Sequence, residues 1–69
     1  MKNETLIAAR KKSGKTQAQV AKEVGISEIG YQSHERGTRT PIVTTALKIA
    51  KALNSTVEKL WGTEPQITA

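Results

Sequence analysis

Hydrophobic residues recur along the chain at intervals of three and four, which is the spacing of amphipathic helices. No run of strand length alternates between apolar and polar residues, and β-rich stretches are too few to build a sheet. The sequence therefore predicts an all-α fold, a compact bundle of five helices. The predicted helices span residues 4–13, 17–24, 28–36, about 42–53 and 57–61.

Residues typical of helix ends separate these segments. Thr16 with Gln19 three residues later forms a capping-box pattern before the second helix. Ser27 is the expected N-cap of the third helix, and Gly25 ends the second one. Asn54 is expected to end the fourth helix in a left-handed conformation.

The expected inner faces follow from the same periodicity. In the fourth helix we expect Ile49 at the edge of an apolar stripe. That stripe comprises Val43, Ala46, Leu47, Ala50 and Leu53.

The third predicted helix has an unusual distribution of side chains. Tyr31, with the neighbouring positions His34 and Glu35, falls on one face. The opposite face carries Ile29 and Ser33, followed by an arginine. If Tyr31 faces the core, an isoleucine points at solvent, and this outward face is where we expect a partner.

Composition and charge narrow the class of protein. The chain has 69 residues, 36% of them hydrophobic, with one Trp, one Tyr and no Phe, so we expect a single domain with an aliphatic core. Lys and Arg number 11 against 6 acidic residues, which gives a net charge of +5. Such a balance suits nucleic acid as a partner, although a merely soluble basic surface would carry it equally well.

Several kinds of site are not expected. The sequence contains no cysteine and one histidine, His34, so we expect no disulfide, no metal site and no cofactor. It has no phosphate-binding glycine loop and no catalytic motif, and so small a bundle leaves no deep pocket; we expect neither an enzyme nor a small-molecule ligand. No apolar run suggests a membrane span or a signal peptide, so we expect a cytoplasmic protein.

The second and third predicted helices have about eight residues each and are joined by a glycine-containing turn, Gly25-Ile26-Ser27, as in a helix-turn-helix. The stretches TQAQVAKEVGISEIGYQSHERGTRTP and ALKIAKALNSTVEKLW resemble the Cro/CI-type (XRE-like) helix-turn-helix domains of bacterial and phage transcriptional regulators. The resemblance covers roughly residues 5–61. It implies a lambda-repressor-like five-helix DNA-binding domain whose third helix enters the major groove.

On this resemblance, four residues of the third helix are candidate base contacts: Glu28, Ile29, Gln32 and Ser33. Ile29 would touch a thymine methyl group, and Glu28 would accept from a cytosine amino group. Gln32 would reach a base or a phosphate. The alternatives stay open: Ile29 as a protein contact, Glu28 as a complement to the helix dipole, and Ser33 as a solvent-exposed residue.

The candidate phosphate contacts are Lys15, Gln17, Arg36, Thr38 and Arg39. Gln17 matches the family residue that binds phosphate, and it stands at a helix N-terminus, where free amides favour an anion. The basic side chains could instead be solvated charges. The resemblance further implies a structural ion pair between Arg10 and Glu35, and it makes Gly30 a departure from the family, which usually carries a larger residue there.

We expect a DNA-binding domain over residues 1–62 and a short C-terminal tail over residues 63–69. Val57, Leu60 and Trp61 are the candidate homodimer interface, because so small a core has no room for all three. The alternative is that Trp61 covers the end of the core in a monomer.

The resulting hypothesis is a sequence-specific, Cro-like repressor from a phage or mobile element. It would bind a palindromic double-stranded operator as a homodimer, in the bacterial cytoplasm at the nucleoid. The alternative is a protein-interaction module, an adaptor or antitoxin, in which the Ile29 face binds another protein.

Overall fold

The computed structural model describes residues 2–62. This part of the chain contains five helices joined by turns and loops, and no strand. The all-α prediction is confirmed. The predicted tail, residues 63–69, lies outside the described residues. The helices are α1 (Glu4–Lys12), α2 (Gln17–Val24), α3 (Glu28–Arg36), α4 (Val43–Ala52) and α5 (Val57–Leu60).

The helix ends follow the side-chain chemistry of the sequence. At α2, the Thr16 hydroxyl accepts from the Gln19 amide at 3.1 Å while the Gln19 side chain accepts from the Thr16 amide at 2.8 Å. At α3, the Ser27 hydroxyl accepts from the Gly30 amide at 3.0 Å. Gly25 has φ of 86°, a left-handed conformation that is costly for any residue with a side chain. The glycine in the sequence therefore determines where α2 ends and the turn to α3 begins.

The core lies where α1, α2, α3, α4 and α5 converge. Its largest fully buried side chains are Leu6, Val20, Tyr31 and Ile49, one from each of the first four helices. Leu60 adds the contribution of α5. The core is aliphatic apart from Tyr31, as the composition predicts.

The buried face of α4 differs from the predicted stripe. Ile49, expected at the edge, is fully buried, whereas Val43 and Leu47, expected inside, are 73% and 56% exposed. The helix buries Ala46, Ile49 and Ala50, which follow the three-and-four spacing. Leu47 stands one residue beyond this face, about 100° around the helix axis.

Hydrogen bonds of Asn3 connect the first helix of the domain to the last one. Its carboxamide oxygen accepts from the Leu6 amide at 3.0 Å and so caps α1. Its carboxamide nitrogen donates to the Leu60 carbonyl at 2.9 Å, and its backbone amide donates to the Glu35 carbonyl at 2.8 Å. One side chain and its own backbone therefore join α1, α3 and α5. None of the helices in residues 2–62 has the length and apolarity needed to cross a membrane.

Candidate nucleic-acid interface

The outward face of α3 borders a shallow hollow on the protein surface. Ile29 is 74% exposed at its rim, although Tyr31 of the same helix is fully buried. The loop after α3 closes the other side of the hollow with Thr38 and Arg39. The helix-turn-helix geometry thus presents an apolar side chain beside a cationic one.

The placement of Ser33 differs from the expectation of an exposed side chain. Ser33 is only 8% exposed, and its hydroxyl donates to the Gly30 carbonyl at 2.6 Å. Its carbonyl accepts from the Thr38 amide at 3.1 Å and from the Thr38 hydroxyl at 3.3 Å. The side chain still lines the hollow, but its proton is used inside the helix, so the hydroxyl offers only a lone pair.

Gly30 also lines this hollow. A methyl group at this position would stand 3.0 Å from the Ser27 hydroxyl, which the Gly30 amide already uses as a cap. The glycine therefore leaves the backbone of α3 accessible between Ile29 and Ser33 and avoids crowding the cap.

Arg10 and Glu35 form an ion pair beneath α3. Arg10 Nε donates to Glu35 Oε2 at 2.6 Å, and the two side chains are 14% and 4% exposed. Burial by itself pushes the pKa of Glu35 up, but hydrogen bonds from Arg10 and Gln17 outweigh it and hold that pKa below its ordinary value. The hydrogen bond to Glu35 likewise raises the pKa of Arg10. Glu35 therefore stays ionised within the fold.

The hydroxyl of Tyr31 is buried near this pair. It has no hydrogen-bond partner among the described residues. Burial raises the pKa of Tyr31, and the neighbouring Glu35 carboxylate raises it further. Tyr31 is therefore a core residue with no ionised form at ordinary pH.

Gln17 connects the buried pair to the surface. Its side-chain Nε2 donates to Glu35 Oε1 at 2.9 Å, and its side-chain Oε1 accepts from Gln32 Nε2 at 3.3 Å. Gln32 also donates to Glu28 Oε2 at 3.3 Å, across one turn of α3. The arrangement leaves Gln17 one amide hydrogen for another acceptor and holds the Glu28 carboxylate at the start of α3.

Two of the three N–H groups on the Lys15 ammonium are engaged within the fold. Its Nζ donates to Glu23 Oε1 at 2.9 Å and to the Ala52 carbonyl at 2.7 Å. The side chain therefore joins α2 to the C-terminal end of α4, where carbonyls lack helical partners and favour a cation. The structure thus gives Lys15 a structural role, and one N–H remains for the expected phosphate contact.

Arg36 and Arg39 are both exposed, and neither belongs to the two ion pairs found within residues 2–62. Arg39 lines the hollow with Ile29, whereas Arg36 is not among its lining residues. The same part of the chain contains no cluster of side chains that could hold a metal ion.

The three residues expected at a dimer interface have different environments. Leu60 is 3% exposed and belongs to the core of its own chain, so it offers no surface to a partner. Val57 and Trp61 are half-buried against that core and line an apolar groove with Pro41 and Val43. Leu60, expected at the dimer interface, therefore fills the core instead. Val43, expected on the inner face of α4, borders the groove.

Three contacts of this region were not foreseen from the sequence: Gln17 with Glu35, Lys15 with Ala52, and His34 with the Arg39 carbonyl. The first two join residues 18 and 37 positions apart, and no local pattern signals such a pair. The third joins residues five positions apart, and no feature of the sequence names the Arg39 carbonyl as the partner of His34.

Comparison with known proteins agrees with this geometry. Residues 6–60 match the family model described as "Helix-turn-helix". A curated relative, the "Cryptic phage CTXphi transcriptional repressor RstR" of Vibrio cholerae serotype O1 (strain ATCC 39315 / El Tor Inaba N16961), is 42% identical over 59 residues. That match covers 86% of this chain and 53% of the relative, so the chain spans about half of the relative's length.

A solved structure, the "SinR protein/SinI protein complex", has the same fold. It superposes with a TM-score of 0.80 at 21% sequence identity, over 100% of this chain and 68% of that one. The predicted resemblance is confirmed. The chain belongs to the helix-turn-helix family, of the Cro/CI type.

Proposed function

We propose that the chain is a sequence-specific, double-stranded DNA-binding transcriptional regulator. In this proposal it is a Cro-like repressor from a phage or mobile element that acts at the nucleoid in the bacterial cytoplasm. The observation that carries the proposal is Ile29, which is 74% exposed on α3 beside Arg39. The major groove offers such a residue an apolar partner, the thymine methyl group. The name of the RstR relative, a phage transcriptional repressor, supports the same class.

The proposed division of labour follows the contacts of each side chain. Ile29 reads a thymine methyl, and Glu28, held by Gln32, accepts from a cytosine amino group. Ser33 accepts at a base edge through its free lone pair. Together these side chains supply sequence preference.

Affinity comes from the sugar–phosphate backbone. Arg39 and Arg36 are the proposed cationic contacts, and Thr38 joins them through its hydroxyl. Gln17 contributes the amide hydrogen that Glu35 does not use, next to the free amides of the α2 N-terminus. Lys15 is left out of this set because two of its three N–H groups already bind Glu23 and the Ala52 carbonyl, which holds its ammonium against α2 and α4.

The proposal includes a homodimer, because one recognition helix touches too few bases to specify an operator. Two helices one turn of DNA apart, about 34 Å, would read the half-sites of a palindrome. Val57 and Trp61, with Val43 beside them, form the proposed contact surface. Equilibrium sedimentation with and without DNA tests this: a Val43→Lys variant should shift the protein toward monomer. At concentrations where both proteins are monomeric, their melting temperatures should agree, since Val43 is 73% exposed within the chain. A strict monomer at high micromolar concentration, even on DNA, would contradict it.

The function itself is tested by selecting binding sites from a random duplex pool and following the affinity of the winner against salt. Enrichment of an inverted repeat, with log K falling by about 0.9 per phosphate contact per unit of log salt, is the expected result. Weak binding without enrichment would overturn the proposal and direct attention to a protein partner at the Ile29 face.

A further inference from the structure

His34 lies on the inner side of α3, beneath the loop that follows the helix. It is 8% exposed, and its Nδ1 lies 3.2 Å from the Arg39 carbonyl oxygen. A carbonyl oxygen only accepts, so a hydrogen bond here requires the proton on Nδ1. The ring therefore donates to the loop either as the Nδ1–H tautomer or as imidazolium.

Few other bonds restrain this loop. The Thr38 amide and hydroxyl both donate to the Ser33 carbonyl. Further along, the next backbone hydrogen bond is accepted by the Ile42 carbonyl at the start of α4. Within the described part of the chain, the contact with His34 is the hydrogen bond that holds residues 39–41 to the helical body.

The residue whose backbone this hydrogen bond restrains is Arg39, the proposed phosphate contact. Arg39 is exposed, forms no ion pair within residues 2–62, and lines the hollow beside Ile29. Ordering a long side chain and a loop on binding costs affinity, and a loop held in advance avoids part of that cost. A bond to the backbone of Arg39 fixes the point from which its guanidinium extends.

We propose that His34 is a positioning residue for DNA binding: by donating Nδ1–H to the Arg39 carbonyl, it holds the loop that presents Arg39 to a phosphate. This inference rests on the proposed function. It differs from a space-filling role, which any large apolar side chain would serve at this buried position. The two roles separate because only the positioning role depends on Arg39.

The test is a double-mutant cycle between His34 and Arg39. His34→Leu keeps a similar volume without a donor, and His34→Asn retains a side-chain amide at the branch that Nδ1 occupies. Both are made in the unsubstituted chain and in Arg39→Ala. Affinity is measured by fluorescence anisotropy on a labelled duplex of mixed sequence, about three helical turns long, because phosphate contacts do not require the operator.

In the unsubstituted background, His34→Leu should weaken binding by about three- to tenfold, because the loop that the hydrogen bond held must then be ordered on binding, at a cost of up to about one hydrogen bond. His34→Asn should recover part of that loss, and His34→Leu should cause no further loss in the Arg39→Ala background. Equal losses in both backgrounds, or no loss in the first, would overturn the positioning role while leaving the proposed function intact. If the unsubstituted chain shows no salt-sensitive binding, both the proposed function and this inference fail.

A second measurement needs no variant and so does not depend on whether a variant folds. Long-range proton–nitrogen correlation spectra report which ring nitrogen of His34 carries the proton in the neutral form. The expected result is a protonated Nδ1. A neutral ring protonated on Nε2 would leave Nδ1 without a hydrogen to donate and would overturn the inference.

Discussion

At the scale of single residues, exposure separates side chains that hold the fold from those available to a partner. Ile29 and Tyr31 are two positions apart on α3, yet one is 74% exposed and the other fully buried. Lys15 and Arg39 are both basic, yet one is bonded to α2 and α4 and the other is free of ion pairs within residues 2–62. Residue type alone does not distinguish them.

Replacing Ile29 by Ala should remove discrimination at one A·T pair, at about 1–3 kcal/mol, because the thymine methyl loses its apolar contact. The melting temperature should change little, since the side chain makes few contacts within the chain. Affinities for the selected operator and for single-base variants of it measure this effect. Leu47→Ala truncates another exposed apolar side chain, 56% exposed on α4, and serves as the matched control that should leave sequence preference intact.

The two basic residues should respond in opposite ways to loss of charge. Arg39→Met should weaken binding to all sequences alike and flatten the salt slope by about one unit. Lys15→Met should leave that slope unchanged and lower stability, because the Ala52 carbonyl and Glu23 lose their partner. Anisotropy titrations across a salt series, with urea unfolding of each variant, give both quantities. If Lys15→Met also flattens the dependence of affinity on salt, Lys15 contacts a phosphate and this prediction is wrong.

At the scale of helices, local signals predict where an element begins and ends better than which face it buries. The Thr16–Gln19 capping box, the Ser27 cap and the left-handed Asn54, with φ of 59°, all occur as predicted, because each depends on neighbouring residues. The buried face of α4 was predicted only in part. Ala46, Ala50 and Leu53 are buried as expected, whereas Val43 and Leu47 are exposed. The residues of this helix are apolar over more than half of the circumference, so periodicity alone leaves the orientation to packing against α2 and α5.

Two truncations within α4 distinguish the observed face from the predicted one. Ile49→Ala should lower the free energy of unfolding by about 2–5 kcal/mol, because it opens a cavity at a fully buried position. Leu47→Ala should change it by less than about 0.5 kcal/mol. Urea unfolding followed by circular dichroism measures both, and comparable losses would mean that Leu47 is inside after all.

The candidate site was predictable to the same extent as the helices. The resemblance in sequence pointed to α3 and its following loop, and the structure gathers Ile29, Ser33, Thr38 and Arg39 around one hollow. The hydrogen bonds that decide what each side chain can still offer could not be predicted. The bond of Gln17 depends on tertiary geometry, because Glu35 lies 18 positions away in the sequence. The bond of Ser33 is local, from its hydroxyl to the Gly30 carbonyl three residues earlier, but a serine in a helix can also point to solvent, so the sequence alone does not choose between the two.

At the scale of the whole molecule, one buried ion pair connects stability to pH. The pKa of Glu35 is lowered in the folded state, so its contribution to stability is present above the unfolded value, near 4.5, and is lost as pH falls through the lower folded value. We expect the free energy of unfolding to decline steadily below about pH 4.5.

Glu35→Gln is the variant that isolates this effect. It should be less stable than the unsubstituted chain at pH 7, because Arg10 is left without its carboxylate partner. The difference between the two proteins should shrink as pH falls toward 3. Urea unfolding of both across that range measures it, and a constant difference would show that Glu35 contributes no proton linkage.

The hydrogen bonds of Asn3 have a consequence for circular permutation of the chain. Because its carboxamide reaches the Leu60 carbonyl, residues 57 positions apart in sequence are neighbours in space. A short glycine–serine linker could therefore join the two ends of residues 2–62 without disturbing the helices. New termini could be opened in the turn at Asn54, which is exposed and is not among the residues that line the hollow with Ile29 and Arg39. Such a circular permutant would carry fused reporters at a position outside the lining of that hollow.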